Sequence, residues 1–173
     1  MSRDEMVDKK VMILGAVGVG KTSLSRRLAF DRFDGNYKAT IGVDVYRTMV
    51  EIEGDATGAT MPFILWDTDG DFGTSIFAST YLRGASAAVI VADATRPQTI
   101  PYLEKLVLGF KDELPGRPCA AILNKVDLLE APPSISLDDF GSPDFAESTS
   151  ALTGEGVRPT FAKLAATILR RGL

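Results

Sequence analysis

The stretch GAVGVGKTS, residues 15–23, decides the class of fold. It matches the pattern G-x-x-x-x-G-K-[ST], in which glycines let backbone N–H groups turn toward bound phosphates. Lys21 can then reach the terminal phosphates, and the Thr22 hydroxyl can ligate Mg²⁺ at a helix N-terminus. The apolar run KVMIL precedes the stretch and a helical pattern follows it from 21 to about 32. A tight strand-to-helix turn is the alternative, but this context favours a phosphate-binding loop.

Strand-like and helix-like segments alternate outward from this loop. Continuous apolar runs at 87–93 and 119–124 are typical of central strands that are buried on both faces. The predicted strands are 10–14, 44–52, 61–67, 87–93, 119–124 and 144–148, and further helices are predicted at 101–114 and 157–171. We therefore predict one α/β domain over 1–173, with a mostly parallel six-stranded sheet and helices on both faces.

Composition narrows the possible functions. The 173 residues are 45% hydrophobic, carry a net charge of −4 and contain no histidine, so neither a basic nucleic-acid surface nor imidazole catalysis is expected. The single cysteine, Cys119, lies in the apolar run CAAIL and is predicted to be a buried small hydrophobe. Without a signal-like N-terminus or a membrane-length apolar run, a cytoplasmic location is expected.

A second motif, NKVD at 124–127, follows the predicted strand CAAIL. The carboxylate of Asp127 can accept from both the ring N–H and the exocyclic amine of guanine, whereas adenine has the opposite polarity there. Asn124 can bond on the other edge of the base, and the stem of Lys125 can lie over its face. The motif alone is also compatible with a polar strand end. Its position downstream of a phosphate loop, where α/β ligands bind, favours guanine recognition.

Further motifs follow in a characteristic order, namely YKATIGVDV (37–45), LWDTDG (65–70), YLRGA (81–85) and TSAL (149–152). With GAVGVGKTSL and NKVDL, they span almost the whole chain. The chain resembles a small GTPase of the Ras superfamily, and most of all its Rab branch. The resemblance implies a P-loop NTPase G domain that binds GTP or GDP with Mg²⁺ and hydrolyses GTP.

The resemblance also implies roles for individual positions. Phe33 would pack edge-on against guanine, Tyr37 would close over the γ-phosphate, and Thr40 would sense that phosphate. The implied nucleotide contacts are Val17, Gly18, Val19, Gly20, Lys21, Thr22, Ser23, Phe33, Tyr37, Thr40, Gly70, Asn124, Lys125, Asp127, Ser150, Ala151 and Leu152. The implied metal ligands are Thr22, Thr40 and, through a water, Asp67; the implied catalytic residues are Lys21, Thr40, Gly70 and Asp71.

The stretch WDTDGDF, residues 66–72, departs from the family pattern. Its alternating aspartates suggest a calcium loop, but the sixth and twelfth positions of that loop are Phe72 and Ala78, so this interpretation fails. Asp69 stands where alanine is usual, and Asp71 stands where the family has the glutamine that orients the attacking water. Val17 replaces the glycine of Ras, and Leu152 replaces a common lysine. We therefore expect slow intrinsic hydrolysis.

Three functions are to be distinguished for such a chain. A guanine-nucleotide switch would use 33–42 and 69–82 to bind effectors, exchange factors and GTPase-activating proteins. The alternative is a pseudo-GTPase scaffold that binds nucleotide without significant turnover, and NKVD argues against a small P-loop kinase. The C-terminal LRRGL lacks cysteine and the start lacks Met-Gly, so we expect no intrinsic lipid anchor. Either the tail was trimmed or the chain is an unlipidated, prokaryotic-type relative that partners recruit to membranes.

Overall fold

The computed structural model describes residues 7–36 and 38–173. Its strands are β1 (Lys9–Gly15), β2 (Val43–Glu51), β3 (Thr60–Thr68), β4 (Ala85–Asp93), β5 (Cys119–Asn124) and β6 (Phe145–Ser148). They form one sheet in the order β2-β3-β1-β4-β5-β6. The β2–β3 pair is antiparallel and the other four pairs are parallel. The predicted six-stranded, mostly parallel sheet is confirmed.

Helices cover both faces of this sheet, as predicted. They are α1 (Lys21–Phe30), α2 (Thr99–Glu113) and α3 (Val157–Arg170). Side chains alternate along β1, so Val11 packs in one core with Leu24 of α1 and Phe161 of α3, whereas Met12 packs in the other with Phe110 of α2. In the described ranges, 7–36 and 38–173, no helix has the length and apolarity needed to cross a membrane.

Local geometry corrects one detail of the prediction. The first helix ends at Phe30 rather than near 32, because Asp31 has a left-handed φ of 53° and terminates it. After β3, Gly70–Ala78 forms consecutive 3₁₀ turns that are interrupted at Gly73. A further short turn, Thr80–Leu82, leads into β4.

The topology gathers the sequence motifs at one edge. Strands β1, β3, β4 and β5 run parallel, so their carboxyl ends lie side by side. Asp67 near the end of β3 is in register with Ile13 of β1, and Asp93 at the end of β4 is in register with Asn124 of β5. This edge is where ligands bind in open α/β sheets.

Cys119 gives a first testable prediction. The thiol is fully buried at the start of β5, at the other edge of the sheet, and burial, with a smaller contribution from Asp144, raises its pKa to about 11. Because only the thiolate reacts, we expect folded protein to resist disulfide-exchange reagents at pH 8 and unfolded protein to react fully. A thiol titration with and without denaturant measures this. Rapid stoichiometric labelling of the folded protein would show that β5 opens readily.

Candidate functional site

The phosphate loop joins β1 to α1 and encloses the buried side-chain ammonium of Lys21. Lys21, the first residue of α1, is only 6% exposed. Its Nζ donates to the carbonyls of Gly15 at 2.9 Å and Ala16 at 2.8 Å. Burial lowers the pKa of Lys21 to about 8, while the carboxylate of Asp67 acts in the opposite direction. An ammonium held at a helix N-terminus, with backbone carbonyls as its partners, is suited to receive phosphate oxygens.

The three residues predicted to hold magnesium lie together beside this lysine. The Thr22 hydroxyl oxygen lies 2.7 Å from the Thr40 hydroxyl oxygen and donates to Oδ2 of Asp67. Asp67 is fully buried. Within the described residues its Oδ1 is a buried atom with no hydrogen-bond partner. Two hydroxyls and a carboxylate therefore converge from α1, the segment before β2, and β3.

The chemistry of these three residues fits Mg²⁺. Burial raises the pKa of Asp67 to about 6, although the hydrogen bond from Thr22 opposes the shift. A buried carboxylate with a free oxygen is costly unless a cation or a donor compensates it, and hydroxyl and carboxylate oxygens are ligands that Mg²⁺ prefers. No cluster of three or more His, Cys, Asp or Glu in the described part of the chain offers another metal site.

The two further aspartates of WDTDGDF have different surroundings. Oδ1 of Asp69 accepts from the Asp71 backbone N–H at 2.8 Å, so Asp69 caps the first 3₁₀ turn. Asp71 is exposed. Between them, Gly70 lies against the phosphate loop, because a Cβ atom there would come within 2.5 Å of the Val17 nitrogen. A side chain at Gly70 would force the two loops apart.

The NKVD motif reaches the phosphate loop directly. Asn124 is buried, and its Nδ2 donates to the Val19 carbonyl at 3.0 Å. Its Oδ1 accepts from the Thr149 hydroxyl at 3.0 Å and from the Ala151 N–H at 3.2 Å. Lys125 donates to the Gly18 carbonyl at 2.7 Å. NKVD and the phosphate loop thus form one hydrogen-bonded unit.

The remaining base-end residues are preorganised around Asp127. Its Oδ1 accepts from the Ser150 hydroxyl at 2.7 Å, and the Ser150 Oγ in turn accepts from the Thr153 N–H at 3.1 Å. Asp127 itself is exposed, whereas Ser150 and Ala151 are buried. One carboxylate oxygen is therefore oriented by the protein while the group remains accessible to a ligand.

The other predicted nucleotide contacts lie at the periphery or inside the loop. Phe33, Leu152 and Val17 are exposed apolar side chains, and Val17 is 42% exposed. Ser23 is half-buried in the first turn of α1 and Gly20 is its N-cap. Tyr37 lies outside the described residues.

Sequence reasoning missed two residues of this site, Asp93 and Arg96. Asp93 at the end of β4 is 1% exposed, and its Oδ2 pairs with Arg96 Nε at 3.0 Å and Lys125 Nζ at 2.9 Å. Burial alone would raise the pKa of Asp93, but hydrogen bonds from Thr95, Lys125 and Arg96 lower it to about 2. The signal was present: DATR follows an apolar strand just as NKVD does.

The GAVGVGKTS loop and the NKVD motif, at the carboxyl edge of a sheet that is covered on both faces, are typical of the P-loop NTPase class. The family described as "Ras of Complex, Roc, domain of DAPkinase" matches residues 10–127. The chain belongs to the Ras superfamily of small GTPases, in its Rab-like part, as the sequence motifs predicted.

Three Rab relatives support this assignment. Ras-related protein Rab-34 of Rattus norvegicus is 35% identical over 167 residues, which cover 91% of this chain and 62% of the relative. Ras-related protein Rab-22A of Canis lupus familiaris is 34% identical over 144 residues, with 83% and 71% covered. Ras-related protein Rab-5B of Plasmodium falciparum (isolate 3D7) is 32% identical over 166 residues, with 94% and 78% covered. This chain thus spans less than two thirds of the length of Rab-34.

Proposed function

We propose that residues 1–173 form one G domain that acts as a guanine-nucleotide switch, binding GTP and GDP with Mg²⁺ and hydrolysing GTP slowly. The observation that carries the proposal is the hydrogen bond from Asn124 of NKVD to the Val19 carbonyl of the phosphate loop, at 3.0 Å. It joins a motif suited to guanine to a loop suited to phosphates, across 105 residues of chain. A site built in this way holds both ends of a nucleotide at once.

Base choice rests on Asp127. Guanine presents two donors to a carboxylate, and the Ser150 hydroxyl already holds one oxygen of Asp127 at 2.7 Å. The Ala151 N–H donates to Oδ1 of Asn124 at 3.2 Å, and in this proposal it would also meet the guanine carbonyl oxygen. A buried polar edge that loses a partner costs about 1–3 kcal/mol, and more when the partner is charged. Adenine nucleotides would lose both contacts to Asp127.

Lys21, Thr22, Thr40 and Asp67 serve the phosphates and the metal in this proposal. Mg²⁺, when bound, would neutralise charge on the β- and γ-phosphates, and Thr22, Thr40 and Asp67 are the residues that would hold it. Lys21 would exchange its carbonyl partners for phosphate oxygens. Gly70 lies against the phosphate loop, and in this proposal its N–H would meet the γ-phosphate.

Slow turnover follows from Asp71, which stands where the family has the glutamine that orients the attacking water. Asp71 is exposed and can only accept hydrogen bonds when ionised. The charges of Asp69 and Asp71 both act to raise the pKa of Lys21, and the same charges would repel a triphosphate held by that lysine. Hydrolysis then rests on Lys21, the loop N–H groups and the metal ligands. Effectors, exchange factors and activating proteins would bind the segments 33–42 and 69–82. Such partners would recruit the chain to membranes.

Single-turnover hydrolysis tests this function. Protein loaded with γ-labelled GTP is expected to release phosphate slowly, and faster when a cell extract supplies an activating protein. Failure to retain GTP would contradict the switch proposal. Retention of GTP without any release, in either condition, would instead support the pseudo-GTPase scaffold.

Thr40 provides a second prediction. Thr40→Ala removes a hydroxyl that lies 2.7 Å from the Thr22 hydroxyl. If Thr40 contributes only to the GTP state, GDP affinity should stay within about twofold of wild type, a difference of ~0.4 kcal/mol. GTP should dissociate faster, which stopped-flow measurements with fluorescent GDP and GTP would detect.

Thr40→Ser is the matched control, because it keeps the hydroxyl and should behave like wild type in both states. Equal weakening of GDP and GTP by Thr40→Ala would contradict the assignment of Thr40 to the switch.

A further inference from the structure

Three consecutive carbonyls of the phosphate loop accept hydrogen bonds from side chains at or just after the ends of β4 and β5. The pairs are Val17 with Arg96 at 2.9 Å, Gly18 with Lys125 at 2.7 Å, and Val19 with Asn124 at 3.0 Å. In a planar trans peptide the C=O and the N–H point in opposite directions. Holding these carbonyls from one side therefore turns the next three N–H groups, of residues 18–20, to the other side.

Arg96 acts where the direction of the loop reverses. The carbonyls of Gly15 and Ala16 accept from the ammonium of Lys21. The next carbonyl, that of Val17, accepts from Arg96 instead. The next residue, Gly18, has a φ of 76°. Because glycine accepts either sign of φ, the peptide between residues 17 and 18 can turn over at little cost. A contact that holds its carbonyl is what selects one orientation.

Asp93 orients Arg96 for this contact. The guanidinium gives its Nε to Oδ2 of Asp93 at 3.0 Å and its Nη2 to the Val17 carbonyl at 2.9 Å. The same Oδ2 pairs with Lys125, which holds the next carbonyl. A planar group with several fixed donors can bridge a carboxylate and a carbonyl in this way, and the ammonium of a lysine cannot reproduce that geometry.

We propose that Arg96, anchored on Asp93, is a positioning residue of the phosphate loop. It holds the Val17 carbonyl outward so that the Gly18 N–H faces the phosphates of the bound nucleotide. The inference rests on the proposed function, since it needs a nucleotide in the loop. It adds to that function a specific residue whose loss should weaken the hold on phosphate while leaving the base contacts of Asp127 in place.

The test measures release of fluorescent GDP from full-length wild type, Arg96→Ala, Arg96→Lys and the control Arg117→Ala. Arg117 precedes β5 at the opposite edge of the sheet. Arg96→Ala should release GDP about tenfold faster, the effect expected from one charge-assisted hydrogen bond. Arg96→Lys should also release GDP faster, because a lysine restores charge without the bridging geometry. Arg117→Ala should match wild type.

Phosphorus NMR of bound GDP separates positioning from general destabilisation. The β-phosphate resonance should shift in Arg96→Ala and stay in place in Arg117→Ala, with the unfolding temperature of both measured alongside. Wild-type release and resonances in Arg96→Ala, or full rescue by Arg96→Lys, would overturn the positioning role while leaving the proposed function intact. Wild type that retains no guanine nucleotide would overturn both.

Discussion

Asp127→Asn is expected to convert the chain from a guanine-nucleotide binder into one that prefers xanthine nucleotides. The carboxylate can accept two hydrogen bonds from guanine, whereas the amide of asparagine offers one acceptor and one donor. Xanthine carries an oxygen acceptor where guanine has its exocyclic amine, so it complements the amide. The Ser150 hydroxyl, 2.7 Å from Oδ1 of Asp127, should hold either side chain in the same orientation.

The expected loss of GTP affinity is about 100-fold or more, since a mismatched hydrogen-bonded edge costs about 1–3 kcal/mol for each group left unpaired. Competition of GTP, XTP and ATP against fluorescent GDP measures the effect. Asp139→Asn is the matched control, because this exposed aspartate lies in the short turn Asp138–Phe140, outside the site. An Asp127→Asn protein that still prefers GTP would contradict the assignment of Asp127 to the base.

Asp71→Gln is expected to raise the intrinsic rate of GTP hydrolysis by about tenfold or more, since the glutamine of this family orients the attacking water. Glutamine can accept from the water and donate to the developing charge, and it removes one of the negative charges near Lys21. Combining it with Val17→Gly should increase the gain, because Val17 places an exposed apolar side chain beside Gly70.

Asp71→Asn is the informative control, because it neutralises the charge without adding the missing methylene. A rate between those of wild type and Asp71→Gln would show that both charge and reach matter. Single-turnover phosphate release measures all three proteins. Wild-type turnover equal to or faster than Asp71→Gln would show that the aspartate is a working part of a different hydrolytic arrangement, either as a base or by recruiting an arginine from a partner.

The fold was predictable because its signals are local. Continuous apolar runs at 87–93 and 119–124 became β4 and β5, and the glycine-rich loop stands between β1 and α1 as its pattern requires. The end of α1 was harder to predict from sequence. Asp31 adopts the left-handed conformation that ends the helix, a conformation usually taken by glycine. Such a stop depends on the surroundings of the residue more than on its type.

The candidate site was predictable where the residues of one motif supply the chemistry. It was less predictable where a role depends on contacts with residues that are distant in sequence. NKVD and the phosphate loop could be placed at the same edge, but their direct contact through Asn124 and Val19 appears only in the fold. The sequence marks Asp69 only as a departure from the family pattern, and the structure shows it as a cap for the Asp71 N–H. The DATR pattern marks Asp93 as a polar strand end, but its role appears only once Arg96 and Lys125 are seen to share its carboxylate.

The measurement that most directly tests the switch is amide hydrogen exchange on GDP-bound protein and on protein bound to a non-hydrolysable GTP analogue, both with Mg²⁺. Thr40 and Gly70 belong to segments that would close on a γ-phosphate, and the Thr40 hydroxyl already lies 2.7 Å from that of Thr22. Exchange in 33–42 and 69–82 is expected to slow in the triphosphate state, while β4 and β5 stay unchanged. Identical exchange in both states, with both nucleotides shown to be bound, would contradict the switch.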